Sequence, residues 1–309
     1  MRLYSILFLL GSLFLVACVT VEDTETPTTS ACPPNCQSGS TGVTTTVTAP
    51  LEGGNVYAND QLFVSVKFED NGESNVDDGV VCVTGLDSEE FNDLGGCSCN
   101  SFYINVDDPK DAHYESTTLG FGPSYVSSTA SGDRTLSVIT RYGYRTYGVF
   151  EACLVSETYE EATCSVTGDK LQVSSSGPIS VENIEEELTP VGSDAVTLRL
   201  HVTASMTPAA NEKIISLTET SSLSCVLERS LEEEAVITVP VSVTLRGNTY
   251  DCSALRFEEG EEGATTSCKI SNLPVTSFIG GEETYIGWVE LEYGWQTIES
   301  IGFTVVQEG

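Results

Sequence analysis

Residues 196–202 read Val-Thr-Leu-Arg-Leu-His-Val, with an apolar side chain at every second position. Such alternation places one face of a strand in a core and the other face in water, as in antiparallel sheets. Residues 62–68 and 239–245 show the same period, and turns rich in Gly, Asn and Asp separate these runs. The sequence therefore predicts an all-β protein built from antiparallel sheets.

The chain also contains an internal repeat. Residues 142–146, Tyr-Gly-Tyr-Arg-Thr, recur as residues 293–297, Tyr-Gly-Trp-Gln-Thr, and each copy lies between two apolar strands. Two upstream blocks align at one common offset: 62–69 with 196–203, and 80–84 with 214–218. We interpret the body as two diverged copies of one β-unit, and we expect the repeated aromatic residues to pack in a core.

Residues 174–178, Ser-Ser-Ser-Gly-Pro, have the composition of a linker between the two copies. At about 150 residues per domain, the length of 309 residues also suggests two domains. We therefore predict two tandem Ig-like antiparallel β-sandwich domains, over residues 50–176 and 177–309. Helical signal is sparse: we expect a capped turn at residues 87–90 and short helices at residues 182–188 and 227–235.

The N-terminus has the layout of a secretory signal, with Arg2 ahead of an apolar run at residues 6–16. The run is shorter than the roughly 20 residues of a membrane-spanning helix. It ends in Leu-Val-Ala-Cys at residues 15–18, which resembles the lipobox of prokaryotic lipoproteins. The resemblance implies a signal peptide over residues 1–17 and a lipid on the sulfur of Cys18, which would restore membrane affinity. The alternatives are an ordinary signal peptide and an uncleaved anchor.

Residues 18–49 are rich in Thr, Ser and Pro and are predicted to form a flexible, lipidated tether. Cys32 and Cys36 lie in this tether, in the sequence Ala-Cys-Pro-Pro-Asn-Cys. We predict a local disulfide between them. A redox motif is disfavoured because three residues, rather than two, separate the cysteines.

Charge and histidine content exclude several function classes. The formal net charge is −33, from 46 acidic and 13 basic side chains, whereas nucleic-acid binding and adsorption to anionic lipid both need clustered Lys and Arg. The only histidines are His113, in loop-like sequence, and His201, in an alternating strand. No nucleophile motif accompanies them, so we predict that the protein is not an enzyme and needs no cofactor.

With Cys18 lipidated, ten cysteines remain, an even number that favours disulfides in an exported protein. Two pairs flank predicted hairpins: Cys153 with Cys164, and Cys252 with Cys268. Cys82 is expected to pair with Cys97 or Cys99, which leaves the other for Cys225 or unpaired. A zinc site formed by Cys82, Cys97 and Cys99 is the alternative, although it lacks a Cys-x₂-Cys pair.

Two acidic clusters raise the possibility of calcium binding. One spans residues 69–78 and contains Asp70, Asp77 and Asp78; the other contains Asp107, Asp108 and Asp111. Calcium requires six to eight oxygen ligands from a shaped loop, and neither cluster fits the EF-hand spacing. An acidic turn between strands is the alternative in both places.

Several segments resemble archaeal or bacterial cell-surface proteins with tandem CARDB-like or Ig-like domains. The segments that carry the resemblance are 67–72, 79–87, 151–164 and 291–295. The resemblance implies an envelope location and a structural or binding role, and it carries no catalytic residues.

We therefore predict a membrane-anchored extracytoplasmic surface lipoprotein with a structural, adhesive or envelope-assembly role, in contact with other envelope or surface proteins. Exposed strand edges would provide the means of contact. The alternatives are a ligand-binding lipoprotein that serves a transporter or envelope enzyme complex, and an envelope hydrolase. A deep apolar pocket would favour the ligand-binding alternative.

Overall fold

The computed structural model describes residues 42–50, 53–70, 72, 74–104, 115–155, 164–191, 195–225, 236–258, 260–274 and 282–307. These residues form an all-β protein of several sheets, which confirms the predicted fold class. The described part of the chain contains no helix long and apolar enough to cross a membrane. Its helical structure is one 3-10 turn at Leu217–Glu219.

Two small sheets are built around the alternating runs recognised in the sequence. The first has the order β1-β3-β6, and the second has the order β16-β10-β9. All neighbours within them are antiparallel, and in β3 and β10 alternate side chains are buried. The strands are β1 (Val43–Ala49), β3 (Gln61–Asp70), β6 (Glu115–Tyr125), β9 (Ile179–Val191), β10 (Ala195–Met206) and β16 (Gly263–Pro274).

A nine-stranded sheet is built on two long strands, β7 (Gly132–Val155) and β17 (Glu282–Val306). They pair antiparallel over almost their whole length, from Gly132 opposite Val305 to Val155 opposite Glu282. Five other members pair with one of these two strands: β2 (Gly54–Tyr57), β4 (Val76–Thr84), β8 (Leu171–Ser174), β11 (Glu212–Ile215) and β13 (Val241–Leu245). The remaining two lie one strand further out: β5 (Cys97–Ile104) beside β4, and β14 (Asn248–Asp251) beside β13. A separate hairpin pairs β12 (Val236–Val239) with β15 (Leu255–Glu258).

The two copies of the repeated motif pair with each other at the middle of these long strands. Tyr142 lies opposite Trp295, Tyr144 opposite Tyr293, and Gly143 opposite Gly294. Because the equivalent glycines face each other and the strands are antiparallel, a local pseudo-two-fold axis passes between Gly143 and Gly294. The four aromatic side chains are at most 2% exposed, so they pack in the core as predicted.

The second aligned block does not follow the predicted equivalence. The sequence aligns residues 80–84 with 214–218, but β4 borders β7 at residues 137–141, and the strand in the matching place beside β17 is β13. Residues 212–215 form β11 instead, opposite residues 294–297. Several short runs of β-branched residues share one period, so pattern alone did not identify the equivalent strand.

The two long strands come from the two different segments that the sequence divides at residue 176. Residues 50–176 contribute β7 and residues 177–309 contribute β17, so the two segments share one sheet rather than forming separate sandwiches in series. The described residues belong to one compact unit. The small sheets contact different halves of β7: the Thr45 hydroxyl of β1 donates a hydrogen bond to the Thr140 hydroxyl, whereas Val181 of β9 lies against Gly148.

The predicted linker, residues 174–178, packs against the middle of the large sheet. Ser175 and Ser176 are buried, and Ser175 exchanges hydrogen bonds with the backbone of Tyr147. A Cβ on Gly177 would lie 2.5 Å from the Thr146 hydroxyl oxygen. The small residues here therefore serve close packing.

The predicted helix at residues 182–188 is wrong, because these residues lie within β9. Pairing with β10 fixes their period at two, which turns Ile184 and Glu186 inward. Residues 87–90 form the expected turn, in which the Glu89 N–H donates to the Asp87 carboxylate. The helix predicted at residues 227–235 lies outside the described residues.

Candidate functional site

Several residues predicted from the sequence to have a functional role lie outside the described part of the chain. They are Cys18, Cys32, Cys36, Asp107, Asp108, Asp111 and His113. His201 lies in β10 with its side chain 41% exposed and its Nε2 atom 3.7 Å from a Glu187 carboxylate oxygen. It is therefore a surface residue of the second small sheet.

Four disulfides tie the described residues together. Cys153 bonds Cys164 and Cys252 bonds Cys268, the two pairings expected from hairpin spacing. Cys82 bonds Cys99 across the adjacent strands β4 and β5. Cys97 bonds Cys225, which is 128 residues away. The structure thus chooses between the pairings that the sequence left open.

Cys82, Cys97, Cys99 and Cys225 form one cluster, which we call the cysteine cluster. The Sγ atoms of Cys97 and Cys99 are 3.6 Å apart, and those of Cys99 and Cys225 are 3.9 Å apart. All four sulfurs are in disulfides in this structure, whereas zinc binds cysteine as the thiolate. The zinc interpretation of these cysteines therefore does not apply to this oxidised state.

The cysteine cluster is supported by a buried arginine. Arg141 is 6% exposed and donates to the backbone oxygens of Ser222 and Ser224, at 3.1 and 2.7 Å, and to the Gln296 side-chain oxygen at 2.9 Å. It thereby holds the segment that carries Cys225 against the sheet. The signal in the sequence is a single arginine directly before the repeated aromatic motif, within the largely apolar β7.

A pocket of about 240 Å³ lies beside Gly143, near the pseudo-two-fold axis. Asp77 and Asp78, two of the predicted calcium ligands, line it together with Asn75, Arg145 and Glu292. Arg145 bonds Glu292 at 3.1 Å, so this carboxylate already has a cationic partner. The pocket is lined by charged side chains and is smaller than the roughly 300–1,000 Å³ of typical small-molecule sites.

Asp70, the third predicted ligand of that calcium set, is not among the residues that line the pocket. It is 3% exposed, and its Oδ1 atom accepts from the Gly72 N–H at 2.8 Å and from the Tyr144 hydroxyl at 3.5 Å. Its Oδ2 atom is buried without a hydrogen-bond partner. Burial raises the pKa of Asp70 to about 6.

Glu186 is a second buried carboxyl group, and the sequence reasoning missed it. Its side chain is fully buried; Oε2 accepts from the Cys153 N–H at 3.0 Å and lies 3.7 Å from Lys170 Nζ. Burial raises the pKa of Glu186 to about 7, despite the opposing effects of this hydrogen bond and of Lys170.

The two glycines at the pseudo-two-fold axis provide a matched pair of substitutions. A Cβ on Gly294 would lie 2.8 Å from the Ile215 carbonyl oxygen, whereas on Gly143 it would lie 3.5 Å from Leu217 Cδ2. We expect Gly294→Ala to lower the free energy of unfolding by about 1–3 kcal/mol, because backbone must move. Gly143→Ala should change the free energy of unfolding by no more than about 0.5 kcal/mol. Urea denaturation measures the free energy of unfolding of both variants. Equal losses would contradict the packing of residues 215–220 over β17.

Comparison with protein-family models and with curated proteins gives no match to this chain.

Proposed function

We propose that the protein is a lipid-anchored extracytoplasmic surface protein with a structural, adhesive or envelope-assembly role. The observation that carries the proposal is the set of four disulfides in one all-β body. Disulfides persist in oxidising compartments outside the cytoplasm and are rare within it. The lipobox-like residues 15–18 supply the proposed means of attachment.

The packing supports a structural role over ligand binding. One hydrophobic cluster of buried side chains runs through both small sheets and the large sheet. The pocket near the axis is small and carries the charged side chains of Asp77, Asp78, Arg145 and Glu292, unlike the apolar cleft of a small-molecule carrier. We therefore propose that partner proteins bind at the outer surfaces and strand edges of this all-β protein.

Strand β5 is the edge through which we propose contact with envelope proteins. Among the described strands it pairs only with β4, so its outer backbone groups face away from the large sheet. Tyr103 on this strand is 69% exposed. Such an edge can accept an extended segment of another protein.

The attachment is tested by the mass of the N-terminal peptide from purified membranes. We expect cleavage before Cys18 and a lipid adduct on that residue, and Cys18→Ser should release the protein from the membrane fraction. Unmodified Cys18 in membrane-bound protein would overturn the proposed anchor.

The role is tested by photo-crosslinking in intact cells, with the reactive residue at position 103. Position 286 is the matched control, because Ile286 is 61% exposed but lies in the interior strand β17. We expect discrete envelope proteins to crosslink at position 103 in excess over position 286. Equal labelling at both positions, with a small molecule retained in native mass spectra, would favour the ligand-binding alternative.

A further inference from the structure

The cysteine cluster places two disulfides in contact, one accessible and one buried. Cys97 is exposed, whereas Cys82 is 1% exposed and packs against Val80 and Ile139. Cys99 and Cys225 lie between them, each partly buried. In the described residues, this is the one place where three cysteine sulfurs gather within 4.8 Å.

We propose that the cysteine cluster is a thiol–disulfide exchange site that takes two electrons from an exported dithiol and stores them as the thiols of Cys82 and Cys97. The accessible Cys97–Cys225 bridge is the point of entry, and the buried Cys82–Cys99 bridge is the second partner. The proposal is independent of the adhesive role, because it concerns what the cluster does with thiols.

The first step is attack by a thiolate of the external dithiol on Cys97 Sγ. A sulfur–sulfur bond forms between them, the Cys97–Cys225 bond breaks, and the electron pair leaves on Cys225 as thiolate. The second thiol of the dithiol then displaces Cys97, which leaves as a thiol, and the external dithiol becomes a disulfide. Exposure of Cys97, rather than Cys82, directs the attack to this sulfur.

The second step is internal. In the oxidised structure Cys225 Sγ lies 3.9 Å from Cys99 Sγ, so the thiolate formed at Cys225 is released beside the sulfur that it would attack. A Cys99–Cys225 bond forms, the Cys82–Cys99 bond breaks, and Cys82 takes up a proton as a thiol. In total one dithiol and two bridges give one external disulfide, two thiols and one bridge, so electrons and protons balance.

The surroundings favour this direction. The apolar side chains of Val80 and Ile139 favour a neutral thiol at Cys82 over a thiolate, so protonation of Cys82 stabilises the product of the exchange. The new Cys99–Cys225 bridge also keeps the segment at residues 222–225 tied to β5, where Arg141 holds its carbonyl groups. The exchange can therefore proceed without release of that segment.

The test uses the folded, fully oxidised protein and one molar equivalent of dithiothreitol. Acid quenches exchange, because thiolates become protonated, and the thiols are then alkylated after denaturation. Cleavage after Glu90 separates Cys82 from Cys97, and fragment spectra distinguish Cys97 from Cys99. We expect alkylation at Cys82 and Cys97 and a crosslinked peptide that joins Cys99 to Cys225.

Alkylation at Cys97 and Cys225, with the Cys82–Cys99 bridge intact, would overturn the proposal, since it would show simple local reduction. The Cys153–Cys164 and Cys252–Cys268 bridges are internal controls and should open, if at all, without a change of partner. A second variant, Cys82→Ala, frees Cys99 beside both sulfurs of the outer bridge. The Cys82→Ala variant should yield a mixture of molecules with a Cys99–Cys225 bridge and molecules with a Cys97–Cys225 bridge. The control variant Cys164→Ala should keep the Cys97–Cys225 bridge unchanged. If Cys82→Ala contains only the Cys97–Cys225 bridge, the proposal is also overturned.

Discussion

The free energy of unfolding is expected to fall as the pH rises through the range from about 4 to about 7. Asp70 and Glu186 are buried carboxyl groups whose pKa values in the fold, about 6 and about 7, exceed their ordinary values of 3.8 and 4.5. In this range the unfolded chain binds fewer protons than the folded chain, so the stability decreases with pH. Each group should account for a loss on the order of 3 kcal/mol, complete above its folded pKa.

The contacts explain why ionisation is unfavourable at both positions. Glu186 faces Lys170 and the Cys153 N–H, but its Oε1 atom is buried without a hydrogen-bond partner. Asp70 faces the Gly72 N–H and the hydroxyl of Tyr144, and no cationic side chain is recorded against it in the described residues. Both carboxylates are therefore incompletely compensated for the loss of water.

Neutral variants measure each contribution. Asp70→Asn and Glu186→Gln should each remove part of the pH dependence and raise stability above pH 7. Glu69 directly precedes Asp70 on β3, and its side chain is 36% exposed. Glu187 directly follows Glu186 on β9, and its side chain is 52% exposed. Glu69→Gln and Glu187→Gln are therefore the matched control substitutions at exposed neighbours. An unaltered slope in Glu186→Gln, measured by urea denaturation across pH, would show that this carboxyl does not titrate differently in the fold.

The second large effect is expected from core truncations in the two small sheets. Phe68 in β3 is fully buried and stacks on Phe102 with ring centroids 4.2 Å apart, and Leu200 in β10 is fully buried. We expect Phe68→Ala to cost about 3–5 kcal/mol and Leu200→Ala about 2–5 kcal/mol. Each should destabilise the whole body, because β7 and β17 join both halves.

Phe63 is the matched control for Phe68. It lies on the same strand but on the opposite face, and its side chain is 52% exposed. Phe63→Ala should change the free energy of unfolding by no more than about 0.5 kcal/mol in chemical denaturation. A loss at Phe63 comparable with that at Phe68 would mean that the burial pattern of β3 is reversed.

Local features of the fold could be predicted from the sequence. Alternation at residues 196–202 predicted β10, because burial of one sheet face demands that period. Cys153 and Cys164 are only 11 residues apart, so hairpin spacing was enough to pair them. The repeat at residues 142–146 and 293–297 was also visible, as was the packing of its aromatic residues.

Long-range pairing could not be predicted in the same way. The alternating pattern of β7 does not identify β17 as its partner, because a strand from either copy of the repeat could pair with β7 and bury the same side chains. The small residues 174–178 suit a solvated linker and a tightly packed crossing equally well. Cys225 lies 128 residues from Cys97, beyond any local rule, and Glu186 is buried by a pairing that a helical interpretation does not contain.

Calorimetric unfolding of the intact, disulfide-bonded chain tests most directly whether residues 50–176 and 177–309 form one cooperative unit. The shared β7–β17 pair predicts a single transition, with equal calorimetric and van't Hoff enthalpies, which both Phe68→Ala and Leu200→Ala shift to lower temperature. Two transitions, each shifted by only one of these variants, would contradict the shared sheet and restore two independent sandwiches.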